Sequence, residues 1–192
     1  IIENFRNLPM RPMALAGEGY EGDPEKLRET IKAFFAEPEG PGLSNPYDGP
    51  GSLIGAIAPH IDYRRGGPCY AWAHKAIQES SQADLFVILG TAHSATRQSF
   101  ALTQKDFETP WGPVETDRAF LDEIRDLCPI DFYQDEMVHK AEHSIELQLI
   151  FLRALWPHKE PFRMVPVLCG SFHEAILKDI SPMELPGVGP FI

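Results

Sequence analysis

The sequence has few of the features that mark a secreted or membrane protein. Only three cysteines occur among 192 residues, widely separated and without a Cys-x-x-Cys pair, which argues against a disulfide framework and against a cysteine zinc site. No apolar run approaches the ~18 residues that a membrane-spanning helix needs. We therefore expect a soluble protein in the reducing environment of the cytoplasm, without a membrane partner.

Basic residues are also scarce. Seventeen Lys and Arg stand against 28 Asp and Glu, which gives a formal net charge of −11. A chain of this charge repels phosphate backbones and anionic membrane surfaces. Neither a phosphate-binding Walker loop nor the Gly-x-Ser-x-Gly pattern of many hydrolases occurs. Nucleic acid is therefore excluded as an expected partner, and a small molecule or a peptide is the expected ligand.

The length predicts one domain with its own hydrophobic core. Hydrophobic residues make up 43% of the chain and charged residues 23%, which is typical of a globular protein. The last twelve residues, 181–192, are rich in Pro and Gly and contain no pattern for a closing strand or a capped helix. We therefore expect a single domain over residues 1–192 whose C-terminal part is missing.

Hydrophobic patterning predicts alternating strands and helices. Two short runs, residues 53–58 and 84–90, are continuously apolar, as is typical of parallel strands buried on both faces. Pro166 favours an edge or irregular position for the last strand. The chain is thus expected to be α/β, with a largely parallel or mixed sheet covered by helices on both faces. Further strands are predicted at residues 99–103 and 163–168, and helices at residues 23–37, 68–79, 117–127 and 141–156.

Two histidines directly follow the apolar strands. His60 comes after residues 53–58 and His93 after residues 84–90. Ligands of open α/β sheets collect beyond the carboxyl ends of the strands, so the two imidazoles are expected to converge there. Imidazole binds Fe, Zn, Cu or Ni, and two His plus one carboxylate form the ligand set of non-haem Fe(II) oxygenases. The alternative is that each histidine only hydrogen-bonds a loop.

A second cluster of polar residues follows further along the chain. In a continuous helix, His139, His143 and Glu146 would share one face. His139-x-x-Glu142-His143 also matches a zinc peptidase pattern in which the histidines bind zinc and the Glu is the general base. A further carboxylate ligand for that zinc is not identifiable in the sequence. Glu142 and Glu146 are otherwise acidic residues near a helix N-terminus, where the helix dipole favours them.

Several segments together resemble the Memo-like family, the B component of a set named after Memo and radical SAM proteins. They occur in the family's order from Ala16 to Gly170, and each alone is a weak signal. The fold implied is that of class III extradiol dioxygenases. The resembling segments are Ala16-Gly17-x-x-Tyr20, Ala58-Pro59-His60-x-x-Tyr63, Leu89-Gly90-x-x-His93, Thr109-Pro110-x-Gly112, Glu142-His143-Ser144-Ile145-Glu146 and Val165-Pro166-Val167-Leu168-x-Gly170.

The resemblance also implies roles for individual residues. His60 and His93 match the two metal-binding histidines of the family, for a divalent metal that is iron in the dioxygenases, with copper or zinc as alternatives. His143 is expected as the catalytic residue, and Tyr63 and Glu146 as substrate-binding residues. The family's late Asp-x-x-His block and its late metal ligand have no counterpart here. The site of this chain is therefore expected to be incomplete.

Two hypotheses on function follow from this resemblance. The first is a metal-dependent oxidoreductase, similar to a dioxygenase, with its site at the carboxyl ends of the strands. The second is a signalling module that binds a phosphopeptide or another partner in the same pocket. A zinc peptidase acting through His139, Glu142 and His143 is a more distant third possibility.

Overall fold

A computed structural model describes residues 2–36, 38–43, 53–128, 130–155 and 162–192 of the chain. Helices and strands alternate along it. The helices are α1 (Ile2–Arg6), α2 (Pro24–Ala36), α3 (Tyr63–Ser80), α4 (Arg118–Leu127), α5 (Ser144–Leu155), α6 (His173–Lys178) and α7 (Val188–Phe191), with 3-10 turns at Glu136–Lys140 and Pro182–Glu184. The strands are β1 (Met10–Arg11), β2 (Leu85–Thr91), β3 (Phe100–Leu102), β4 (Asp106–Phe107), β5 (Glu115–Thr116) and β6 (Arg163–Cys169).

The central sheet is mixed, as the sequence predicts. β6 lies parallel to β2 along its whole length, from the pair Leu85 and Arg163 to the pair Thr91 and Cys169. On its other side β6 pairs with β5 in parallel and with β3 in antiparallel orientation. The short strands β1 and β4 form a separate parallel pair. The predicted α/β class is thereby confirmed.

Helices cover both faces of this sheet at β6. Met164 and Leu168 pack on one face in a cluster with Leu149 and Leu152 of α5. The alternate residues of β6 face the opposite cluster, which includes residues of α4, α6 and α7. The α5 helix is therefore buried between the sheet and a third cluster formed with α2 and α3. This packing fixes the position of the first turn of α5.

The helix predictions are largely confirmed, with shifted ends. The side chain of Asp23 accepts the N–H groups of Glu25 and Lys26, as predicted for a helix N-cap. α3 begins five residues before the predicted start because Asp62 caps it by accepting the N–H of Arg65. None of the described helices is both long and apolar enough to cross a membrane. Residue 37, most of the predicted loop after it, and residue 156 lie outside the described residues.

The prediction of a buried strand over residues 53–58 is wrong. This segment is extended but is not part of a strand, and the side chains of Ile54 and Ile57 are almost fully exposed. Among the described residues β2 pairs only with β6, and its Val87 and Leu89 are 49% and 64% exposed. Apolar composition predicts burial only where a partner strand and a covering layer are present.

Of the two positions expected for Pro166, the edge of the sheet is wrong, because β6 is central and Pro166 is buried, and the irregular position is the one found. The N–H of Arg163 donates to the carbonyl of Asp84, the residue that precedes β2. By strand alternation, Pro166 therefore directs its nitrogen away from β2. On that side, β5 pairs with β6 only as far as Met164, and the pairing of β3 with β6 begins at Val167. Pro166 lies in the gap between them, where a missing N–H costs no ladder hydrogen bond.

Two buried histidines predict a loss of stability in acid. Burial lowers the pKa of both His74 and His139 from 6.5 to about 4. Below pH 6.5 the unfolded chain therefore binds protons that the folded chain does not. We expect the free energy of unfolding to fall as the pH drops from 6.5 to 4, by about 1 kcal/mol per pH unit for each histidine.

Urea unfolding at several pH values measures this effect. His74→Gln should be less stable at neutral pH, but its stability should depend less steeply on pH than that of the wild type. His173→Ala, a change at an exposed histidine, should leave the slope unchanged. Equal slopes for His74→Gln and the wild type between pH 6.5 and 4 would refute the assignment.

Candidate functional site

Three histidines from separate parts of the chain meet at one end of the sheet. His60 follows the extended segment 53–58, and His93 lies two residues after β2. His143 directly precedes α5, and its carbonyl accepts the N–H of Leu147 in the first turn. The ring centroids of His60 and His93 are 5.2 Å apart, those of His93 and His143 4.8 Å, and those of His60 and His143 6.1 Å.

Hydrogen bonds and close packing hold the three elements together. Gln148 of α5 donates to the carbonyl of Pro59 at 2.7 Å, which fixes the approach to His60. The hydroxyl of Ser144 donates to the carbonyl of Thr91 at 2.9 Å. A Cβ atom at Gly90 would lie 2.5 Å from the Ser144 Oγ. Glycine therefore allows β2 to approach the start of α5 closely enough to bring His93 and His143 together.

Glu142 is the polar centre of the site. Its carboxylate accepts the backbone N–H of His93 at 2.8 Å, that of His143 at 2.7 Å and that of Ser144 at 3.1 Å. The Nδ1 atoms of His93 and His143 lie 3.0 Å and 3.2 Å from Oε1. Burial alone would raise the pKa of Glu142, but these donors outweigh it and the pKa is lowered. The carboxylate is therefore negative at neutral pH.

The imidazoles are accessible from a cleft of about 720 Å³, whose other lining residues are Leu15, Glu18, Gly19, Pro59, Ile61, Asp62 and Arg65. The side chain of His93 is 48% exposed and that of His143 30% exposed. Burial lowers the pKa of His60, and the neighbouring His93 and His143 lower it further. His60 therefore favours the neutral form, which is the form that binds metal.

Glu142 could itself be a metal ligand by its chemistry. Glu142, His93 and His143 each offer one possible ligand atom, and these three atoms lie within 4.8 Å of one another. Three backbone N–H groups already occupy its oxygens, however. His60 and His93, the pair expected from the sequence, are thus brought together, with His143 beside them and Glu142 behind.

The other predicted site residues lie in the interior. Tyr63 is 2% exposed and its hydroxyl donates to the carbonyl of Leu147. Glu146 is 1% exposed and forms an ion pair with the fully buried Arg11. It also accepts the backbone N–H groups of residues 14 and 15 and the hydroxyl of Tyr20. The described contacts of both residues are internal, and their substrate-binding roles stay predictions.

The common helix face predicted for His139, His143 and Glu146 does not exist. His139 lies in the 3-10 turn Glu136–Lys140, whereas α5 begins only at Ser144. The imidazole of His139 is 1% exposed, and its Nε2 is 3.0 Å from the carbonyl of Ala101. The arrangement gives no support to a peptidase site.

Two residues that shape the site, Glu142 and Arg11, are not predicted from the sequence in these roles. The pattern around Glu142 indicates a helix-terminus residue or a peptidase base, and only its position next to His143 points to the site. Arg11 carried no signal, because its partner Glu146 is 135 residues away. Arg11 also donates to the carbonyls of His139 and Glu142, so it braces the backbone on which Glu142 stands.

Comparisons with known proteins agree on one family. Residues 11–183 match the family model described as Memo-like protein. A protein named as a MEMO1 family member from Methanopyrus kandleri is 39% identical over 166 residues, which are 85% of this chain and 57% of the relative. Relatives with the same family name are 34% identical over 160 residues in Methanothermobacter thermautotrophicus and 27% identical over 192 residues in Thermus thermophilus.

The shared region is a large part of this chain and a smaller part of those relatives. The match covers 82% of this chain and 56% of the Methanothermobacter protein, and 94% of this chain and 56% of the Thermus protein. The chain therefore spans a little more than half the length of these curated relatives.

Proposed function

Since the chain belongs to the Memo-like protein family, we propose that it binds a divalent metal through His60 and His93 and acts as a metal-dependent, dioxygenase-like oxidoreductase. Iron is the first candidate, with copper or zinc as alternatives. One observation carries the proposal: three imidazoles, His60, His93 and His143, lie within 6.1 Å of one another, measured between ring centroids, at an open cleft.

The residues present fit such a metal. Neutral imidazole binds Fe, Cu and Zn readily, and His60 favours the neutral form because its pKa is lowered. Carboxylate contacts at Nδ1 are common for metal-binding histidines, because they leave Nε2 free for the metal. His93 has such a contact with Glu142. His60 and His93 would hold the ion, and further positions would stay open to a ligand in the cleft.

The chain's own residues would divide the remaining work. A bound metal of this type supplies a Lewis acid, and iron or copper also supplies redox capacity. His143 is 30% exposed at the same cleft, so it can accept or donate a proton at Nε2 next to a bound substrate. The cleft walls, which include Glu18, Asp62 and Arg65, would orient that substrate.

Metal content and oxygen uptake test this proposal. The chain is loaded with ferrous ion under anaerobic conditions and then desalted. We expect it to retain about one ion, because two imidazoles that converge on one point can bind the same ion. With catechol as a probe, oxygen uptake should require the ion and should stop on addition of a chelator. Absence of any retained ferrous, cobalt or zinc ion would refute the metal-binding proposal.

A binding function is the second proposal, favoured by Arg65 at the edge of the cleft. Its side chain is 65% exposed and its guanidinium is paired with Asp62. Arg is well suited to recognise a phosphate group, which would have to replace Asp62 as its partner. A phosphotyrosine peptide is the appropriate probe. Affinity that survives removal of metal would support a phosphopeptide-binding module, whereas complete loss of affinity with a chelator would count against it.

A further inference from the structure

Glu142 makes two kinds of contact that serve different purposes. The contacts with the backbone N–H groups of His93, His143 and Ser144 fix the loop after β2 to the start of α5. The contacts with the Nδ1 atoms of His93 and His143 involve only the imidazoles. The first kind stabilises the fold. The second bears on which ring nitrogen of His93 carries the proton, because Nδ1 faces the carboxylate.

The chemistry of the carboxylate favours one ring nitrogen of His93 as the site of the proton. An ionised carboxylate only accepts hydrogen bonds. The Glu142 side chain is 4% exposed, so water has little access to replace its partners. The His93 Nδ1 lies 3.0 Å from one carboxylate oxygen and 3.1 Å from the other. A lone pair on Nδ1 at this position would face negative charge, whereas an N–H would be bonded.

We propose that Glu142 is a positioning residue that keeps the neutral His93 imidazole in the tautomer with its proton on Nδ1. The Nε2 lone pair is then free for a ligand in the cleft. The His143 Nδ1 is 3.2 Å from the same carboxylate, but the contact lacks hydrogen-bond geometry, so the proposal concerns His93 alone. The consequence for metal affinity rests on the proposed function, but the tautomer itself does not.

This role differs from that of a metal ligand. A carboxylate has about four lone-pair positions, and three backbone N–H groups and the His93 imidazole surround those of Glu142. Release of Glu142 towards a metal would leave the backbone N–H groups of His93, His143 and Ser144 without their acceptor. Glu142 therefore acts through His93.

The test is the tautomer state, read from two-bond ¹H–¹⁵N correlations of the imidazoles in the metal-free protein at neutral pH. In the wild type, His93 should show a protonated Nδ1, while exposed His173 serves as an internal reference. In Glu142→Gln, one of the two acceptor oxygens becomes an NH₂ donor, so His93 should shift towards the form protonated at Nε2. Cobalt affinity should fall about 10–100-fold.

The matched control is Glu174→Gln, an isosteric change at an exposed position of α6, which should alter neither readout. A wild-type His93 protonated at Nε2 would overturn the proposal, and so would an unchanged tautomer in folded Glu142→Gln. The wild-type spectrum decides alone if that variant does not fold. If the His93 tautomer responds to Glu142→Gln as expected but the protein binds no metal, the role of Glu142 stands and only the metal-binding function is refuted.

Discussion

Replacement of His60 or His93 with Ala is expected to weaken the binding of ferrous or cobalt ion by more than about 100-fold. Loss of a residue that only orients a ligand already costs about 10–100-fold, and loss of a ligand itself should cost more. The ring centroids of His60 and His93 are 5.2 Å apart, so the two imidazoles lie side by side at one site. Calorimetric titration with cobalt and metal analysis after loading with iron would measure the loss.

His173→Ala is the matched control, because it removes an exposed histidine at the start of α6. It should leave metal affinity unchanged. His143→Ala separates the proposed catalytic residue from the ligands: it should retain most of the metal but lose oxygen uptake. Metal that stays bound after substitution of both His60 and His93 would place the site elsewhere.

Replacement of Glu146 with Leu is expected to destabilise the fold by about 3–5 kcal/mol, because it leaves the charge of Arg11 buried without its partner. Arg11 is 0% exposed and Glu146 1% exposed. Burial raises the pKa of Tyr20, so its hydroxyl remains a donor to Glu146 at 2.6 Å. The same carboxylate accepts the N–H groups of residues 14 and 15, of which Leu15 lines the cleft. Urea unfolding at pH 7 measures the effect.

The double variant Arg11→Met with Glu146→Leu should recover the part of this loss that comes from the unpaired ion, whereas the N–H groups of residues 14 and 15 and the Tyr20 hydroxyl remain without their acceptor. Glu174→Ala breaks an exposed ion pair with Lys178 and should change stability by less than about 1 kcal/mol. If Glu146→Leu costs no more than Glu174→Ala, the ion pair does not hold the fold together. A stable Glu146→Leu protein that loses ligand binding would instead favour the substrate-binding role.

The part of the site that was predictable from sequence depends on which residues follow one another along the chain. His60 and His93 each follow a continuous apolar run, and strand ends are where ligands of α/β sheets collect. For His93 the predicted strand exists, although its residues are not buried on both faces. His60 reaches the same place although residues 53–58 are not a strand, because Gln148 holds Pro59 next to α5.

The unpredictable part depends on contacts between distant residues. Arg11 and Glu146 are 135 positions apart, and neither residue type is expected in a core. The role of Glu142 required knowledge that β2 ends against the first turn of α5. A continuous helix over residues 141–156 would have placed His139 beside His143, but the chain turns between them. The position of Pro166 required the lengths of two neighbouring strands.

A crystal of the chain soaked anaerobically with ferrous ion, and measured on both sides of the iron absorption edge, tests the central claim most directly. We predict one anomalous peak at the cleft, within about 2.2 Å of a ring nitrogen of both His60 and His93, in line with usual metal–imidazole distances. Glu142 should remain bonded to the backbone. A peak at another position, or no peak in the cleft at saturating iron, would contradict the account.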